Sequence, residues 1–358
     1  MLLGLVQSTE PNNATTDRDP YLSIVVASRN DTHGGNLMGR MILFVKGLIA
    51  QTNRHRMRAE LIVVEWNPPQ DRPPLRFILP RPSSQDRLTV RYIVVPPELH
   101  ARYRRAKEIP LFQMIAKNVG IRRARGEFVL CTNIDLLFSD ALLQRLAATD
   151  LRRDTVYRAN RCDVPDGIDP DWPLPEQLAW CSRNVIRRIG MDARFKNVNL
   201  EQLGLNDKAW YKKWLADKMA WIIFRSPEKR QFYRIDSFAC GDFTLMARQS
   251  WLEIEGYAEL DLYSIHVDTL GLVSAACMGY RQHTLPRTAC TYHIDHPAGW
   301  CSMSPAEKIR FLEERPGIDY GLVFETAMQA LGKKEPLRFN SPNWGFMDRV
   351  FEEHVFPS

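Results

Sequence analysis

From Tyr21 onward, short apolar runs alternate with segments of helical spacing. Leu22-Ser-Ile-Val-Val-Ala27 is a β-branched run of the kind a strand buried on both faces requires, and it breaks into the polar stretch Ser28-Arg-Asn-Asp-Thr-His-Gly-Gly35. Met38, Met41, Ile42, Val45 and Ile49 then recur at the period of a helix. Strands are expected at 61–64, ending on Glu65, and at 90–95, with the Pro-rich stretch 68–82 as a loop between them. The spacing predicts a helix over 111–125, with Phe112, Ile115, Ala116 and Val119 on its apolar face, Lys117 off that face, and Gly126 as its stop. A fourth strand over 128–131 closes on Thr132-Asn-Ile-Asp135 before a helix over 139–148. Strands alternating with helices predict an open, mostly parallel α/β sheet, which binds ligands at the carboxyl ends of its strands.

Beyond residue 150 the pattern weakens. Residues 150–238 hold Trp172, Trp180, Trp210, Trp214 and Trp221 without a clean period, and read as an irregular, partly helical insertion. Strand and helix signals return at 243–247 and 267–278. The stretch Tyr292-His-Ile-Asp-His296 reads as following a further short strand, and a polar, Pro-interrupted tail runs to 358. The boundaries expected are a flexible tail over 1–20, a first half over 21–149, a second half with the insertion over 150–300, and an extension over 301–358.

Composition narrows the class without naming it. A chain of 358 residues with 45% hydrophobic and 25% charged positions is globular, and disordered or collagen-like classes are excluded. A net charge of +6, with both signs plentiful, draws anionic partners only weakly. Seven cysteines without a C-x-x-C pair fit reduced thiols. With no basic, apolar leader and no apolar run near about 20 residues, the expectation is a cytoplasmic protein. Arg102, Arg104, Arg105 and Lys107 make a basic stretch that reads as a solvated face and leaves peripheral membrane contact as an option. No basic patch with interleaved aromatics points to nucleic acid.

Three groups could carry chemistry. On an extended segment Asn133 and Asp135 share a side, so both could reach one divalent cation or a sugar hydroxyl; a turn or helix-capping role is the alternative. His293 and His296 with the intervening Asp295 could ligate a Mn²⁺-like ion or contact phosphate, or lie unpaired in a surface loop. Asp268, opening a helix, is a candidate general base or a carboxylate satisfying that helix's first amides.

Taken in order, these blocks resemble the GT-A fold glycosyltransferases, family 2-type enzymes above all. In that family A-[RK]-N-x-G-x-x-x-A-x-G-E leads into a strand and a D-x-D metal motif. Here Ala116-Lys-Asn-Val-Gly-Ile-Arg-Arg-Ala-Arg-Gly-Glu127 runs into Phe-Val-Leu-Cys-Thr-Asn-Ile-Asp135. Gly241-Asp-Phe-Thr-Leu-Met-Ala-Arg248, Trp251, Gly256-Tyr257 and Asp268 resemble the acceptor-side block, and His293 the C-terminal metal-binding His, with His296 a close rival. The resemblance covers 21–140 and 238–297. It departs at Asn133, which replaces the first acid of D-x-D, and at Val267, where many members carry Glu.

The resemblance implies a Rossmann-like, mostly parallel sheet flanked by helices, with 21–149 binding a nucleotide sugar and 150–300 the acceptor. It implies transfer of a sugar from a nucleotide-diphosphate donor to a glycan, lipid or other hydroxyl acceptor, with inversion. Asp268 and Asp242 would be the catalytic carboxylates, the first as base. Asn30, Asp31, Glu65, Lys117, Asn118 and Asn133 would bind the nucleotide sugar, and Asp135, His293 and His296 a divalent cation, Mn²⁺ or Mg²⁺. The competing expectations are a sugar nucleotidyltransferase and a catalytically silent glycan-binding or scaffold protein.

Overall fold

The computed structural model describes residues 19–190, 226–296 and 303–357. Most of the expected flexible tail, Trp210, Trp214 and Trp221, and Cys301 lie outside the described residues. Twelve strands are described: β1 Leu22–Ser28, β2 Ala59–Trp66, β3 Leu88–Val95, β4 Phe128–Thr132, β5 Leu136–Phe138, β6 Thr155–Arg158, β7 Asn160–Val164, β8 Arg187–Ile189, β9 Phe243–Ala247, β10 Arg281–Thr284, β11 Cys290–Ile294 and β12 Glu352–Phe356. Eight form a main sheet in the order β10-β6-β9-β4-β1-β2-β3-β12. β1 pairs in parallel with both β2 and β4, β2 with β3, and β6 with β10, while β9 and β12 run antiparallel to their neighbours. This is the mostly parallel, helix-flanked sheet expected from the strand–helix alternation.

The sheet is buried on both faces because each central strand is apolar at odd and even positions alike. Leu22, Ile24 and Val26 point into one core, shared with the helices Leu37–Arg54 and Asp140–Ala147. Val25 and Ala27 point into the other, shared with Gln113–Arg123, Arg248–Glu253, Val267–Cys277 and Tyr320–Lys333. Gly120 lets its helix approach the sheet closely: a methyl group there would lie 2.4 Å from Val25 Cγ1. No helix among the described residues is long and apolar enough to cross a membrane.

Two expectations are corrected. Residues 155–164 belong to two strands rather than an irregular insertion, and β7 joins a second sheet ordered β5-β11-β7-β8. Its apolar face, with Cys162, Val164, Tyr292 and Ile294, packs on Leu43, Leu137 and Cys181, and Trp172 and Trp180 lie against that cluster as packing residues. The C-terminal stretch is likewise not a plain tail. It forms the helices Pro305–Glu314 and Tyr320–Lys333, and its strand β12 closes the edge of the main sheet beside β3.

The second sheet explains where the chemistry collects. The chain passes from main to small sheet at 133–135 between β4 and β5, at Ala159 between β6 and β7, and at 285–289 between β10 and β11. Backbone leaving a ladder needs polar partners, so side chains with oxygen and nitrogen gather at this seam.

Candidate functional site

The parallel pairings align Ser28 with Glu65 and Glu65 with Val94, and Val25 with Cys131, so Asn30, Glu65 and Asp135 all follow the carboxyl ends of their strands. The two edges of the sheet differ in chemistry. At the amino edge Glu60 is buried and fully engaged, accepting from Arg91 Nη1 at 2.8 Å and from the Arg125 amide at 2.6 Å. At the carboxyl edge, Glu65 Oε2 and Asp135 Oδ1 are buried oxygens that accept no hydrogen bond. Buried polar atoms are rarely left so, and an orphaned carboxylate oxygen is what a cation site presents before loading.

Asp135 lies with His293 and His296: one ligand atom from each falls within 4.8 Å of the others, and both imidazole Nε2 atoms are 3.7 Å from Asp135 Oδ2. Burial would raise the proton affinity of Asp135, but the His296 and His293 imidazoles and the Arg40 guanidinium outweigh it and hold the carboxyl well below the usual range. His293 lies within β11, not after it, and both rings are largely buried, which removes the surface-loop alternative. The loop after β1 closes over them. A methyl group on Gly34 would lie 2.4 Å from His296 Nδ1, and buried Arg40 holds that loop by donating to the carbonyls of Gly34 and His33. A carboxylate with two imidazoles suits Mn²⁺ better than Mg²⁺, which prefers an all-oxygen shell. The donor set and the orphaned Oδ1 therefore fit a divalent cation.

Asn133 does not share that cluster. The chain bends after β4, so strand alternation does not carry from 133 to 135. Asn133 Oδ1 accepts from Gln113 Nε2 at 2.7 Å and Lys117 Nζ at 3.0 Å, which helical i, i+4 spacing puts on one face. Its Nδ2 donates to Asp242 Oδ1 at 2.6 Å. The amide thus bridges a cation and a carboxylate, and an acid could not serve both. Asn133→Asp is expected not to tighten Mn²⁺ binding and to lower the melting temperature, because it sets a carboxylate against Asp242. Tighter Mn²⁺ binding in a titration would instead put residue 133 against the ion.

Lys117, expected off the apolar face, is fully buried; its Nζ donates to Asn133 and to the Gly241 carbonyl at 2.8 Å. Burial pushes its proton affinity down, against the pull of Cys131, Asp242 and Asp268. Asp242 faces Asn133 because β4 and β9 run antiparallel with Thr132 opposite Phe243, so the chain leaving one strand meets the chain entering the other. Asp268 stands in the first turn of its helix, over Gly241, where a methyl group would come within 3.1 Å of Asp268 Oδ2. Burial raises its proton affinity, and Cys240, Lys117 and Arg158 oppose the rise. Asp242, Asp268, Lys117 and Asn133 are therefore one neighbourhood.

Three sequence candidates make contacts within the fold. Asn118, expected to bind the nucleotide sugar, is fully buried and clamps the backbone of Tyr257: Oδ1 accepts from its amide and Nδ2 donates to its carbonyl, both at 2.8 Å. Asn30 donates to the Pro73 carbonyl and Glu65 Oε1 accepts from the Leu75 amide, so both anchor the Pro-rich loop. Asp31 remains partly exposed, closing a turn with the His33 amide. Burial raises the proton affinity of Glu65. Its folded form thus favours the proton, and the associated stability is lost as pH rises through the raised value. Glu65→Gln is expected to melt higher than the parent at pH 8, with the gain vanishing below about pH 4.3, the ordinary range of the group. A lower melting point at pH 8 would mean that Arg76 compensates the charge.

The residues missed by sequence reasoning are Arg161 and Asp163 on β7, with Arg40 and Gln113. Parallel pairing sets Asp163 beside His293, and Arg187 of β8 sits opposite Asp163 on the other side. Asp163 is fully buried; the His293, Arg161 and Arg187 side chains outweigh its burial and hold its carboxyl well below the usual range. Alternation in Arg161-Cys-Asp-Val164 was the available signal for a strand with one polar face.

No family model matches the chain, and no curated protein matches it. Among solved structures it is similar to the crystal structure of GalNAc-T7 with UDP, GalNAc and Mn²⁺, at 12% identity and a TM-score of 0.43, over 91% of this chain and 53% of that one. The chain spans about half the length of that protein.

Proposed function

We propose that the chain is a metal-assisted glycosyltransferase that moves a sugar from a nucleotide-diphosphate donor to a hydroxyl acceptor with inversion. The observation that carries the reading is the Asp135–His293–His296 cluster with its orphaned Oδ1, at the carboxyl edge of the sheet and linked to Asp242 through Asp163 and Arg161. The motif order of the sequence supports it. Asp135, His293 and His296 would hold the divalent ion, which when bound stabilises the charge of the departing diphosphate. Asp268 accepts the proton of the acceptor hydroxyl, its raised proton affinity suiting a base that works near neutrality. Asp242 is committed on both oxygens, to Asn133 and Arg161, and so orients groups rather than taking a proton. Asn133 holds Asp242, and Lys117 holds Asn133.

A panel of nucleotide sugars scanned by thermal shift with and without Mn²⁺ tests the reading. One donor should raise the melting temperature only with the metal; saturation at a hundred times its Kd is worth about 2.7 kcal/mol. Release of nucleoside diphosphate with a glycosylated acceptor is the expected product. Formation of a nucleotide sugar would indicate the nucleotidyltransferase, and binding of glycan alone the silent protein; either overturns the proposal.

A further inference from the structure

Resting on that reading of the metal centre, we propose that Arg161 is a positioning residue that couples it to Asp242, so that the two behave as one unit. Arg161 donates from Nε to Asp163 Oδ1 at 2.6 Å and from Nη1 to Asp242 Oδ2 at 2.9 Å, and Asp163 Oδ1 in turn lies 3.3 Å from His293 Nδ1, the ring nitrogen that carries the proton when Nε2 faces a cation. Asp163 belongs to β7, Asp242 to the turn before β9, and His293 to β11. Alternation on β7 puts Arg161 and Asp163 on the face away from the apolar cluster, and the register with β11 brings His293 alongside. A guanidinium is planar and rigid, so the distance between Asp242 and the Asp163 carboxylate that backs His293 is set by one covalent frame. A lysine would keep the charge and lose the fork. The Arg161 side chain is largely buried, as are those of Asp163, Asp242 and His293, so water competes weakly for any of these bonds.

The consequence is that Asp242, which is not among the cation's candidate ligands, should affect cation binding through Arg161. Partners that hold a metal-binding imidazole from behind typically change metal affinity 10- to 100-fold when replaced. Mn²⁺ Kd is measured by calorimetry on the full chain for the wild type, Arg161→Lys, Asp242→Asn and the double variant, with melting curves alongside. Arg161→Lys is expected to weaken Mn²⁺ binding about tenfold. Asp242→Asn is expected to weaken it about fivefold in the wild-type background and less than about twofold in Arg161→Lys, because the connection is already cut. Equal losses in both backgrounds would mean through-space charge alone and overturn the coupling. An unchanged Kd in Asp242→Asn overturns it without any substitution at Arg161, so the proposal is testable even if Arg161→Lys does not fold. Asp135→Asn separates the two readings. If it loses Mn²⁺ while Arg161→Lys binds like the wild type, the coupling fails and the metal site stands; if it binds like the wild type, both fall.

Discussion

Asp135→Ala is expected to abolish Mn²⁺ binding and metal-dependent donor binding, with a fall of at least about 100-fold in each, while the protein stays folded. Asp135 supplies the only carboxylate of the cluster, and its Oδ2 is equidistant, at 3.7 Å, from both imidazoles. Without it two imidazoles remain, and the cluster offers the ion no carboxylate. Packing changes little, since the side chain stands at a polar seam. A modest stability loss at neutral pH is expected, because the proton affinity of this carboxyl is depressed in the fold. Such a group contributes stability above its ordinary value of about pH 3.9, and that contribution is lost as pH falls through the folded value. Metal-free Asp135→Ala should therefore show a shallower acid limb than the metal-free parent. Calorimetric titration with Mn²⁺ and acid melting curves check both statements; wild-type Mn²⁺ affinity in the variant would move the ion elsewhere.

Asp268→Asn is expected to reduce transfer about 10²- to 10⁴-fold with donor affinity nearly intact. The substitution keeps shape and removes the ability to take a proton. Because the base must be ionised, kcat/KM of the parent should fall as pH drops through the raised value of Asp268, placing the acid limb above the ordinary carboxylate range of about 3.9. Asp242→Asn should act mainly on acceptor KM and on the metal. If Asp242→Asn abolishes transfer and Asp268→Asn does not, the two roles are exchanged. A capping role for Asp268 makes a different forecast. The folded fraction would keep normal specific activity and only the melting point would fall, which assays run beside melting curves distinguish.

The framework is legible in local sequence signals. The apolar runs at 22–27, 61–64, 90–95 and 128–131 became β1 to β4, and the helical period after each of the first and fourth became the helices Leu37–Arg54 and Asp140–Ala147. These are local signals: burial on two faces writes a continuous apolar run, and burial on one face of a helix writes a period. Asp135, His293 and His296 were also legible as residue types able to hold a cation. What only the tertiary structure decided is which polar side chains meet. Asn133 shares its motif with Asp135 but reaches Lys117 and Asp242, because the chain bends at the seam. Asn118 and Lys117 are neighbours on one helix, yet one clamps Tyr257 and the other supports Asn133, since successive helical residues point in different directions. Arg161 and Asp163 carried no motif at all. Their place beside His293 follows from pairing between strands about 130 residues apart in sequence, and register across such a distance is set by what each strand buries, which no single segment records.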